Sequence, residues 1–302
     1  MTASHFFVYN PTSGDRSRSE QIEYIRKSLG SRFPWKEMLP SEDAASLVRQ
    51  AAKEGAQTIV AVGGDGTVHG VVNGIMSIEA PLRPSLGILP TGNGNDFAHA
   101  AHIPTDIKKA LELVLNGKGH PSDIGSINNE RGDNIYWANS CGIGLNGRVA
   151  IRARSFQAFK GKAKYIAATI AEILRQKTPK DADLTVDNRR LSDSFSMITL
   201  GNGPREGAGF LMTPHAKIDD GLLDLLFVAP LSKMGMLALL PSARNGTHVK
   251  SRAIFTRTFS RLHLKANEPL AIHTDGEIYA TPKDNVREIS VRVHPAAIRV
   301  IR

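Results

Sequence analysis

The segment "IVAVGGDGTVHGVVNG", residues 59–74, joins an apolar run to a glycine-rich turn and then to a helical pattern. The run "TIVAVGG" has no polar alternation, which is typical of a buried strand in a parallel sheet. Val68, Val71, Val72 and Ile75 follow at helical spacing. The stretch therefore predicts a strand, a turn at its carboxyl end and a helix, which is the repeating unit of an α/β fold.

The same alternation extends outward over the first 125 residues. Strands are predicted in "HFFVYNP", "SLGILPTG" and "SDIGSIN", and helices in "RSEQIEYIRKSLG", "SEDAASLVRQAAKEG" and "DIKKALELVL". Beyond this point the segments are rich in β-strand patterns, with one helical region, "KAKYIAATIAEILRQK". We therefore predict an α/β domain over residues 1–124 and a β-rich domain over residues 125–294, while residues from about 295 to 302 could return to the first domain.

Composition limits the class of protein. The chain has 302 residues, 41% hydrophobic and 22% charged, which is typical of a globular protein of two domains. The apolar run "MGMLALL" is far shorter than the roughly 18 residues that a membrane-spanning helix needs. The N-terminus has no secretory pattern, and the single cysteine, Cys141, excludes an internal disulfide, so we expect a cytoplasmic protein.

The charge is unevenly distributed along the chain. The formal net charge is +9, which favours an anionic partner. Residues 134–171 and 225–267 contain no Asp or Glu but hold six and seven basic residues, respectively. Because the second span also holds "MGMLALLP", basic and apolar residues adjoin there, as they do on surfaces that meet anionic lipids. An ordinary solvated face explains the two spans equally well.

Glycines at 63, 64 and 66 suggest a phosphate site. Without side chains in the way, backbone N–H groups can face an anion, and the helix start adds its dipole. Asp65 would repel a phosphate unless a cation lies between them, so Mg²⁺ is expected. An Asp-Gly turn without a ligand is the alternative, but a second loop of the same kind, "ILPTGNGNDFA" at 88–98, also follows a strand.

Other nucleotide motifs are absent or misplaced. The chain contains no G-x-x-x-x-G-K-[ST] sequence and no histidines at metal-ligand spacing. A literal G-x-G-x-x-G occurs as "GIGLNG" at 142–147, but no acid follows about 20 residues later and the surrounding pattern is not βαβ. We therefore do not expect a dinucleotide site there.

Taken together, the motifs resemble the diacylglycerol kinase catalytic-domain family, and in particular its bacterial lipid kinases that lack a membrane-spanning part. The resemblance rests on "VYNPTSG" at 8–14, "VGGDGTVHGVVNG" at 62–74 and "LGILPTGNGNDFA" at 86–98, and continues through "NSCGIGLNGRV", "DDGLLDLLFV" and "HTDGE". It implies an α/β N-terminal domain like that of NAD kinases and phosphofructokinases, a C-terminal β-sandwich, and ATP bound in the cleft between them. Homodimers are common in the family, although the sequence leaves the oligomeric state open.

The resemblance also implies roles for individual residues. Acids around the phosphates and the catalytic Mg²⁺ would be Asp65, Asp96 and Asp123. ATP would be held by Asn10, Thr12, Ser13, Gly14, Gly64, Asp65, Gly66, Thr67, Thr91, Gly92 and Asn95. The threonine with which relatives touch the nucleotide has only Ser41 as a weak substitute here, so that contact stays unassigned.

In "HTDGE", the resemblance makes Asp275 the general base that accepts the proton of the lipid hydroxyl. Glu277 would support it from the same side of the strand, since residues two apart in a strand face one way. Without the resemblance, the sequence would predict only an Asp-Gly hairpin turn at this place. In "AKIDDGLLD", a structural Mg²⁺ would be bound by Lys217, Asp220 and Leu222, and a solvated acidic turn is the alternative.

The resulting hypothesis is an ATP- and Mg²⁺-dependent lipid kinase, with diacylglycerol as the default acceptor and phosphatidic acid as the product. Phosphatidylglycerol, a polyprenol or a sphingoid base are alternative acceptors, and a NAD kinase-like enzyme is a second class. A nucleotide-binding regulator without turnover is a third class, which detectable turnover would exclude. We expect peripheral contact with the inner face of the cell membrane and no nucleic-acid partner.

Overall fold

The computed structural model of the protein describes residues 5–11, 18–39, 43–156, 161–175, 180–207 and 209–302. The chain divides into two compact units, which are Met1–Asp123 with Ala296–Arg302, and Ile124–Pro295. The sequence-based boundary lies at residue 124. The fold class predicted from the sequence, an α/β unit followed by a β-sandwich, is confirmed.

The first unit is built on a parallel sheet. Its strands are β1 (His5–Tyr9), β2 (Trp35–Glu37), β3 (Thr58–Gly63), β4 (Ser85–Pro90), the first part of β5 (Gly119–Asn129) and the last residues of β16 (Glu288–Ile301). The order β2-β1-β3-β4-β16 is parallel throughout. Strand β3 is buried at every residue, which explains its uninterrupted apolar sequence.

Helices cover this sheet. They are α1 (Ser19–Leu29), α2 (Ala44–Lys53), α3 (Asp65–Met76), α4 (Asp96–Ala100) and α5 (Ile107–Asn116). Asp43 and Asp106 cap α2 and α5 by accepting backbone N–H groups of the first turn, which fixes where these helices begin. Gly74 of α3 lies against Val48 of α2, so a side chain at residue 74 would separate the two helices.

The second unit contains two antiparallel sheets. The six-stranded sheet has the order β12-β11-β10-β7-β14-β15. Its strands are β7 (Ser140–Gly144), β10 (Met197–Gly201), β11 (Leu223–Val228), β12 (Ile254–Phe259), β14 (Ile272–Thr274) and β15 (Glu277–Ala280). The other strands of this unit are β6 (Asn134–Trp137), β8 (Lys180–Val186), β9 (Arg189–Phe195), β13 (Arg261–Ala266) and the parts of β5 and β16 that lie within residues 124–295.

One hydrophobic core joins the two sheets of this unit. Ile143 and Leu200 of the six-stranded sheet share it with Leu184, Leu264 and Ile289 of the other sheet. This arrangement is a β-sandwich, in which the inner faces of two sheets bury each other.

The second unit holds more helix than the sequence analysis predicted. Besides α7 (Gly161–Arg175), it contains α6 (Leu145–Ser155) and α8 (Lys233–Arg244). Helix α8 was missed because Pro241 lies inside it, and Ser232 nevertheless caps it by accepting the Gly235 N–H. Both helices bury apolar side chains in a second core with Met197 and Leu226. None of the helices within the described residues is long and apolar enough to cross a membrane.

Candidate active site

Two glycine loops lie side by side in the first unit. We call residues 63–67 the first glycine loop and residues 91–96 the second. They follow β3 and β4, which are neighbouring parallel strands, and the N–H groups of Thr91 and Gly92 both donate to the carbonyl of Gly63, at 3.0 and 3.1 Å. A Cβ on Gly92 would stand 2.1 Å from the Cα of Gly64. Only glycine at both positions lets the two backbones approach this closely.

The second glycine loop is held in shape by two side chains. Asn95 adopts a left-handed conformation with φ of 55°, and its amide accepts the Gly92 N–H at 3.1 Å and donates to the Gly92 carbonyl at 2.8 Å. The guanidinium of Arg18 donates to the carbonyls of Thr91 and Gly92. Asn95, predicted as an ATP contact, thus uses its side chain within the loop. The sequence analysis did not predict that Arg18 contacts this loop.

The carboxylates of Asp65 and Asp96 approach the same glycine. Asp65 is the first residue of α3, and its Oδ1 accepts the Phe97 N–H at 3.4 Å. A Cβ on Gly94 would lie 2.5 Å from Oδ2 of Asp65 and 3.8 Å from Oδ2 of Asp96. Two carboxylates that approach one glycine concentrate negative charge, which favours a cation beside them. Oxygen ligands of this kind suit Mg²⁺, which retains several waters and takes few carboxylates.

Two buried threonine hydroxyls lie at the glycine loops. Oγ1 of Thr67 and Oγ1 of Thr91 are buried, and neither makes a hydrogen bond within the part of the chain that the structure describes. Buried hydroxyls in proteins are nearly always paired, so these two are available to a bound ligand or to water. Together with the N-terminus of α3, which favours negative charge, these groups fit the oxygens of a phosphate.

The other residues predicted for the site in the first unit have hydrogen bonds outside the two glycine loops or lie beyond the described residues. The N–H of Asn10 donates to the Val62 carbonyl at 3.2 Å, so the end of β1 lies beside the end of β3. Asp123 on β5 is only 2% exposed, and its carboxylate accepts the N–H of Ala296 at 2.7 Å. Ala296 has a φ of 48°, so Asp123 stabilises an unfavourable backbone conformation there. Thr12, Ser13, Gly14 and Ser41 lie outside the described residues.

In the second unit, Asp275 and Gly276 form the two-residue turn of the β14–β15 hairpin. Their φ values of 53° and 85° are both positive, as a type I′ turn requires, and Thr274 pairs with Glu277 across it. The prediction that Asp275 and Glu277 face one way along a strand is therefore wrong. Asp275 lies in the turn rather than in a strand, so the two-residue alternation does not apply to it.

The two carboxylates of this hairpin have different surroundings. Asp275 accepts three backbone N–H bonds, from Ala138, Asn139 and Ser140, at 2.9, 2.8 and 3.0 Å. Glu277 forms an ion pair with Arg154 at 2.6 Å, and about half of each of these two side chains is exposed. The Asp275 carboxylate is thus held by the backbone of residues 138–140, whereas the Glu277 carboxylate pairs with a side chain near the surface.

A buried polar pair lies beside the hairpin. Nε2 of His273 is 2.8 Å from Oε1 of Glu206, and both side chains are largely shielded from solvent. The sequence analysis quoted this histidine within "HTDGE" without giving it a role. Cys141 is fully buried, and burial, and then the charges of Glu206 and Asp275, raise the pKa of its thiol well above the usual value.

The acidic turn predicted to bind a structural metal precedes β11. Oδ1 of Asp220 accepts the Leu222 N–H at 3.1 Å, and Gly221 takes a positive φ of 77°. Burial, and then the charge of Asp220, raise the pKa of Asp224 to about 6. The described residues hold no group of three or more His, Cys, Asp or Glu side chains that could bind a metal ion. A cation here would therefore depend on backbone carbonyls, such as those of Lys217 and Leu222.

The "GIGLNG" motif covers the end of β7 and the first residues of α6, but β7 is not part of a βαβ unit. Strand β7 is antiparallel to both of its neighbours, β10 and β14. This agrees with the prediction that the glycine pattern is not a dinucleotide site.

Comparison with known protein families gives two matches. Residues 4–127 match the diacylglycerol kinase catalytic domain. Residues 139–302 match the YegS C-terminal NAD kinase beta sandwich-like domain. The two matches cover most of both structural units.

Individual proteins are similar over most of their length. The diacylglycerol kinase of Staphylococcus carnosus is 30% identical over 277 residues, covering 89% of this chain and 87% of that protein. A protein of Cronobacter sakazakii named "Probable lipid kinase YegS-like" is 31% identical over 225 residues, covering 74% of each chain. A crystal structure of a diacylglycerol kinase from Bacillus anthracis str. Sterne superimposes with a TM-score of 0.70 at 20% identity, covering 99% of this chain and 96% of that one.

Proposed function

The chain belongs to the diacylglycerol kinase-like family of lipid kinases, which are phosphotransferases with an alcohol group as acceptor, and from this premise we propose that it transfers the γ-phosphate of ATP to a lipid hydroxyl in a Mg²⁺-dependent reaction. The observation that carries the proposal is the meeting of the two glycine loops, with two carboxylates facing one glycine and two buried threonine hydroxyls beside them.

The first unit is the nucleotide-binding part in this proposal. Backbone N–H groups of the first glycine loop bind phosphate oxygens, and the hydroxyls of Thr67 and Thr91 donate to them. Asp65 and Asp96 hold hydrated Mg²⁺. The ion, when bound, neutralises charge that develops on the β- and γ-phosphates. Arg18 and Asn95 keep the second glycine loop in shape, and Asp123 holds the backbone of β16 at Ala296.

The second unit supplies the proton acceptor. Family resemblance assigns that role to Asp275, with Glu277 in support. The three backbone N–H bonds on Asp275 tie its carboxylate to residues 138–140. This geometry favours a different assignment, in which Asp275 fixes the hairpin and the half-exposed Glu277 accepts the proton of the lipid hydroxyl. Arg154 orients the Glu277 carboxylate through their ion pair.

Diacylglycerol is the acceptor that the named relatives favour, since diacylglycerol kinase is the printed name of the Staphylococcus carnosus protein. The Cronobacter sakazakii relative is named only as a lipid kinase, so phosphatidylglycerol, a polyprenol and a sphingoid base stay as alternatives. A soluble acceptor such as NAD is the alternative from another class, because the β-sandwich match is described as NAD kinase-like.

The test is phosphate transfer from [γ-³²P]ATP, with Mg²⁺, to diacylglycerol, phosphatidylglycerol, undecaprenol, sphingosine and NAD, with the lipids in mixed micelles. We expect labelled phosphatidic acid, and its loss in an Asp65→Asn variant purified in the same way. Loss of the label in that variant would show that the activity does not come from a contaminating kinase. Label only in another lipid would change the acceptor, label only in NAD would move the protein to the soluble-substrate class, and no label in any acceptor would refute the proposal.

Peripheral contact with an anionic membrane is the second part of the proposal. Helix α7 exposes Ile166, Ile170 and Leu174, at 42, 38 and 52%, and these residues are four apart, so they form one stripe. Met234, at the start of α8, is 73% exposed. Helix α7 begins within the acid-free basic span 134–171. Apolar side chains beside basic ones are typical of surfaces that rest on anionic lipid headgroups.

A structural Mg²⁺ at the turn before β11 is the third part. The Asp220 carboxylate with the carbonyls of Lys217 and Leu222 offers only oxygen ligands, which suits the ion.

A further inference from the structure

His273 makes one hydrogen bond with each of its ring nitrogens, and the two bonds lead in different directions. The side chain is 4% exposed. Nδ1 lies 3.2 Å from the backbone nitrogen of Gly276, and Nε2 lies 2.8 Å from Oε1 of Glu206. A backbone N–H can only donate, so Nδ1 is the acceptor and the ring proton is on Nε2. Glu206 accepts that proton in a hydrogen bond and so fixes the tautomer.

The imidazole ring is confined by the neighbouring strand. His273 pairs with Gly142 of β7, and a Cβ on Gly142 would stand 2.3 Å from Nε2 of His273. The ring therefore lies directly against the backbone of β7, where any other residue at 142 would displace it. A register shift in the β14–β15 pairing occurs at the same place, between Ile272 and His273. The ring has one orientation in which both hydrogen bonds can form.

Glu206 is held from its own side. Its backbone exchanges two hydrogen bonds with Phe210, at 2.9 and 3.0 Å, and the neighbouring Arg205 carbonyl accepts the Asn139 side-chain amide at 2.7 Å. The Asn146 amide lies 3.4 Å from Oε2 of Glu206. The carboxylate is thus a fixed acceptor rather than a surface charge that happens to touch the ring.

Stability alone does not account for this arrangement. The hairpin turn is already tied to residues 138–140 by the carboxylate of Asp275. Removing the Glu206 carboxylate from water costs solvation free energy, which its hydrogen bonds to His273 and Asn146 must offset. The pair instead adds a hydrogen bond at Gly276, the residue immediately before Glu277, and so restricts the backbone that carries this carboxylate.

We propose that His273 is a positioning residue, which fixes the Gly276–Glu277 backbone through Nδ1, and that Glu206 acts through His273 by fixing its tautomer. This inference rests on the proposed function, because it gives the hairpin carboxylates their catalytic role. It assigns no contact with substrate to either residue.

Two substitutions of His273 separate its two bonds. In His273→Asn, Oδ1 stands near the place of Nδ1 and can accept the Gly276 N–H, but the contact with Glu206 is lost. In His273→Gln, the longer amide can still reach Glu206, but nothing accepts the Gly276 N–H. His263→Gln is the matched control, because His263 is an exposed histidine on β13 outside this cluster.

We expect His273→Gln to lower kcat by about 10²-fold, as a small misplacement of a catalytic group does, with the KM for ATP unchanged. His273→Asn should keep at least ten times the kcat of His273→Gln, and His263→Gln should behave as the parent protein. Glu206→Ala should lower kcat in the parent protein but cause no further loss in the His273→Asn background, where no imidazole is left to orient. Equal kcat values for the Asn and Gln variants, or fully additive losses, would overturn the proposal.

Hydrogen–deuterium exchange of residues 272–280 tests the same bond without turnover. The amide of Gly276 should exchange faster in His273→Gln than in the parent protein and should stay protected in His273→Asn. Equal exchange in both variants would overturn the positioning role. If the parent protein phosphorylates none of the acceptors, the proposed function fails, while the exchange measurement still decides whether His273 holds the turn.

Discussion

At the scale of single residues, the two carboxylates of the β14–β15 hairpin differ in their hydrogen-bond partners. Asp275 has three backbone N–H donors and a left-handed conformation, so its side chain and its backbone both serve the turn. Glu277, two residues later, has an exposed ion pair with Arg154. Glu277 therefore presents a half-exposed carboxylate, whereas the Asp275 carboxylate is used by the turn.

This difference leads to a prediction about two variants. Glu277→Gln should lower kcat by about 10² to 10⁴, the usual contribution of a general base, and leave the melting temperature nearly unchanged. Asp275→Asn should lower the melting temperature as well, because an amide nitrogen would face backbone donors and leave one unpaired, at about 1–3 kcal/mol. Kinetics and thermal unfolding of both purified variants check this. Turnover within a few fold of the parent in Glu277→Gln would return the role of base to Asp275.

His248 gives a pH prediction at the same scale. It is 3% exposed, and burial lowers its pKa below 6.5, while the bond to the Met212 carbonyl partly opposes this shift. The folded state therefore keeps the ring neutral where the unfolded chain binds a proton. This contribution to stability is present above about pH 6.5 and is lost as the pH falls toward the lowered pKa.

We expect the free energy of unfolding to fall less between pH 7.5 and pH 5.5 in His248→Gln than in the parent protein. Glutamine stays neutral over this range and can still donate to the Met212 carbonyl. Urea unfolding at the two pH values measures the difference. Identical losses in the two proteins would show that His248 contributes nothing to the pH dependence.

At the scale of elements, the contact between the two glycine loops depends on backbone approach rather than on side chains. A Cβ at Gly92 or at Gly64 would meet the Cα of the other glycine at 2.1 or 2.9 Å. The neighbouring parallel strands β3 and β4 bring the loops together, and the hydrogen bonds to the Gly63 carbonyl keep them there.

Gly92→Ala should therefore abolish ATP binding and destabilise the protein by about 1–3 kcal/mol, the usual cost of overpacking. The matched control is Gly235→Ala in α8, where a new Cβ would meet its nearest neighbour at an ordinary 3.4 Å. That variant should be neutral or slightly more stable, because alanine favours a helix more than glycine does. Nucleotide titration and thermal unfolding compare the two. Parental ATP affinity in Gly92→Ala would contradict the proposed phosphate site.

The turn before β11 gives a prediction for metal binding. If the turn binds Mg²⁺ only in the folded state, millimolar Mg²⁺ should raise the melting temperature, since a ligand at 100 times its Kd adds about 2.7 kcal/mol. Asp220→Asn should remove most of this increase. Asp65→Asn, which changes the carboxylate site at the glycine loops, is the comparison variant. If Mg²⁺ raised the melting temperature of the Asp220→Asn variant as much as that of the parent protein, the turn would not be a Mg²⁺ site.

At the scale of the whole molecule, a net charge of +9 and the apolar stripe of α7 predict salt-sensitive attachment to anionic membranes. We expect the protein to sediment with vesicles that contain phosphatidylglycerol, less so as salt rises, and little with purely phosphatidylcholine vesicles. Ile170→Gln should weaken sedimentation, whereas Leu82→Gln, at an exposed leucine of the other unit, should not. Equal sedimentation with both kinds of vesicle would count against the proposal.

Several elements could be predicted because they repeat a local pattern. Local sequence alone predicted β3, from its continuous apolar run, and α3, from the helical spacing of its valines. Helices α6 and α8 could not be predicted in this way. Pro241 within α8 contradicts the usual helical pattern, and the helix forms because tertiary packing buries its apolar side.

The sequence by itself determined the fold class, the family and the residues at which chemistry was expected, because hydrophobic period and glycine-rich motifs are local properties of the chain. Tertiary structure alone decided how those residues are used. It assigned the Asn95 amide to its own loop, gave Asp275 three backbone donors, and paired His273 with Glu206, which is 67 residues away. Hydrogen bonds between distant segments depend on strand pairing and burial, and no local pattern in the sequence specifies them.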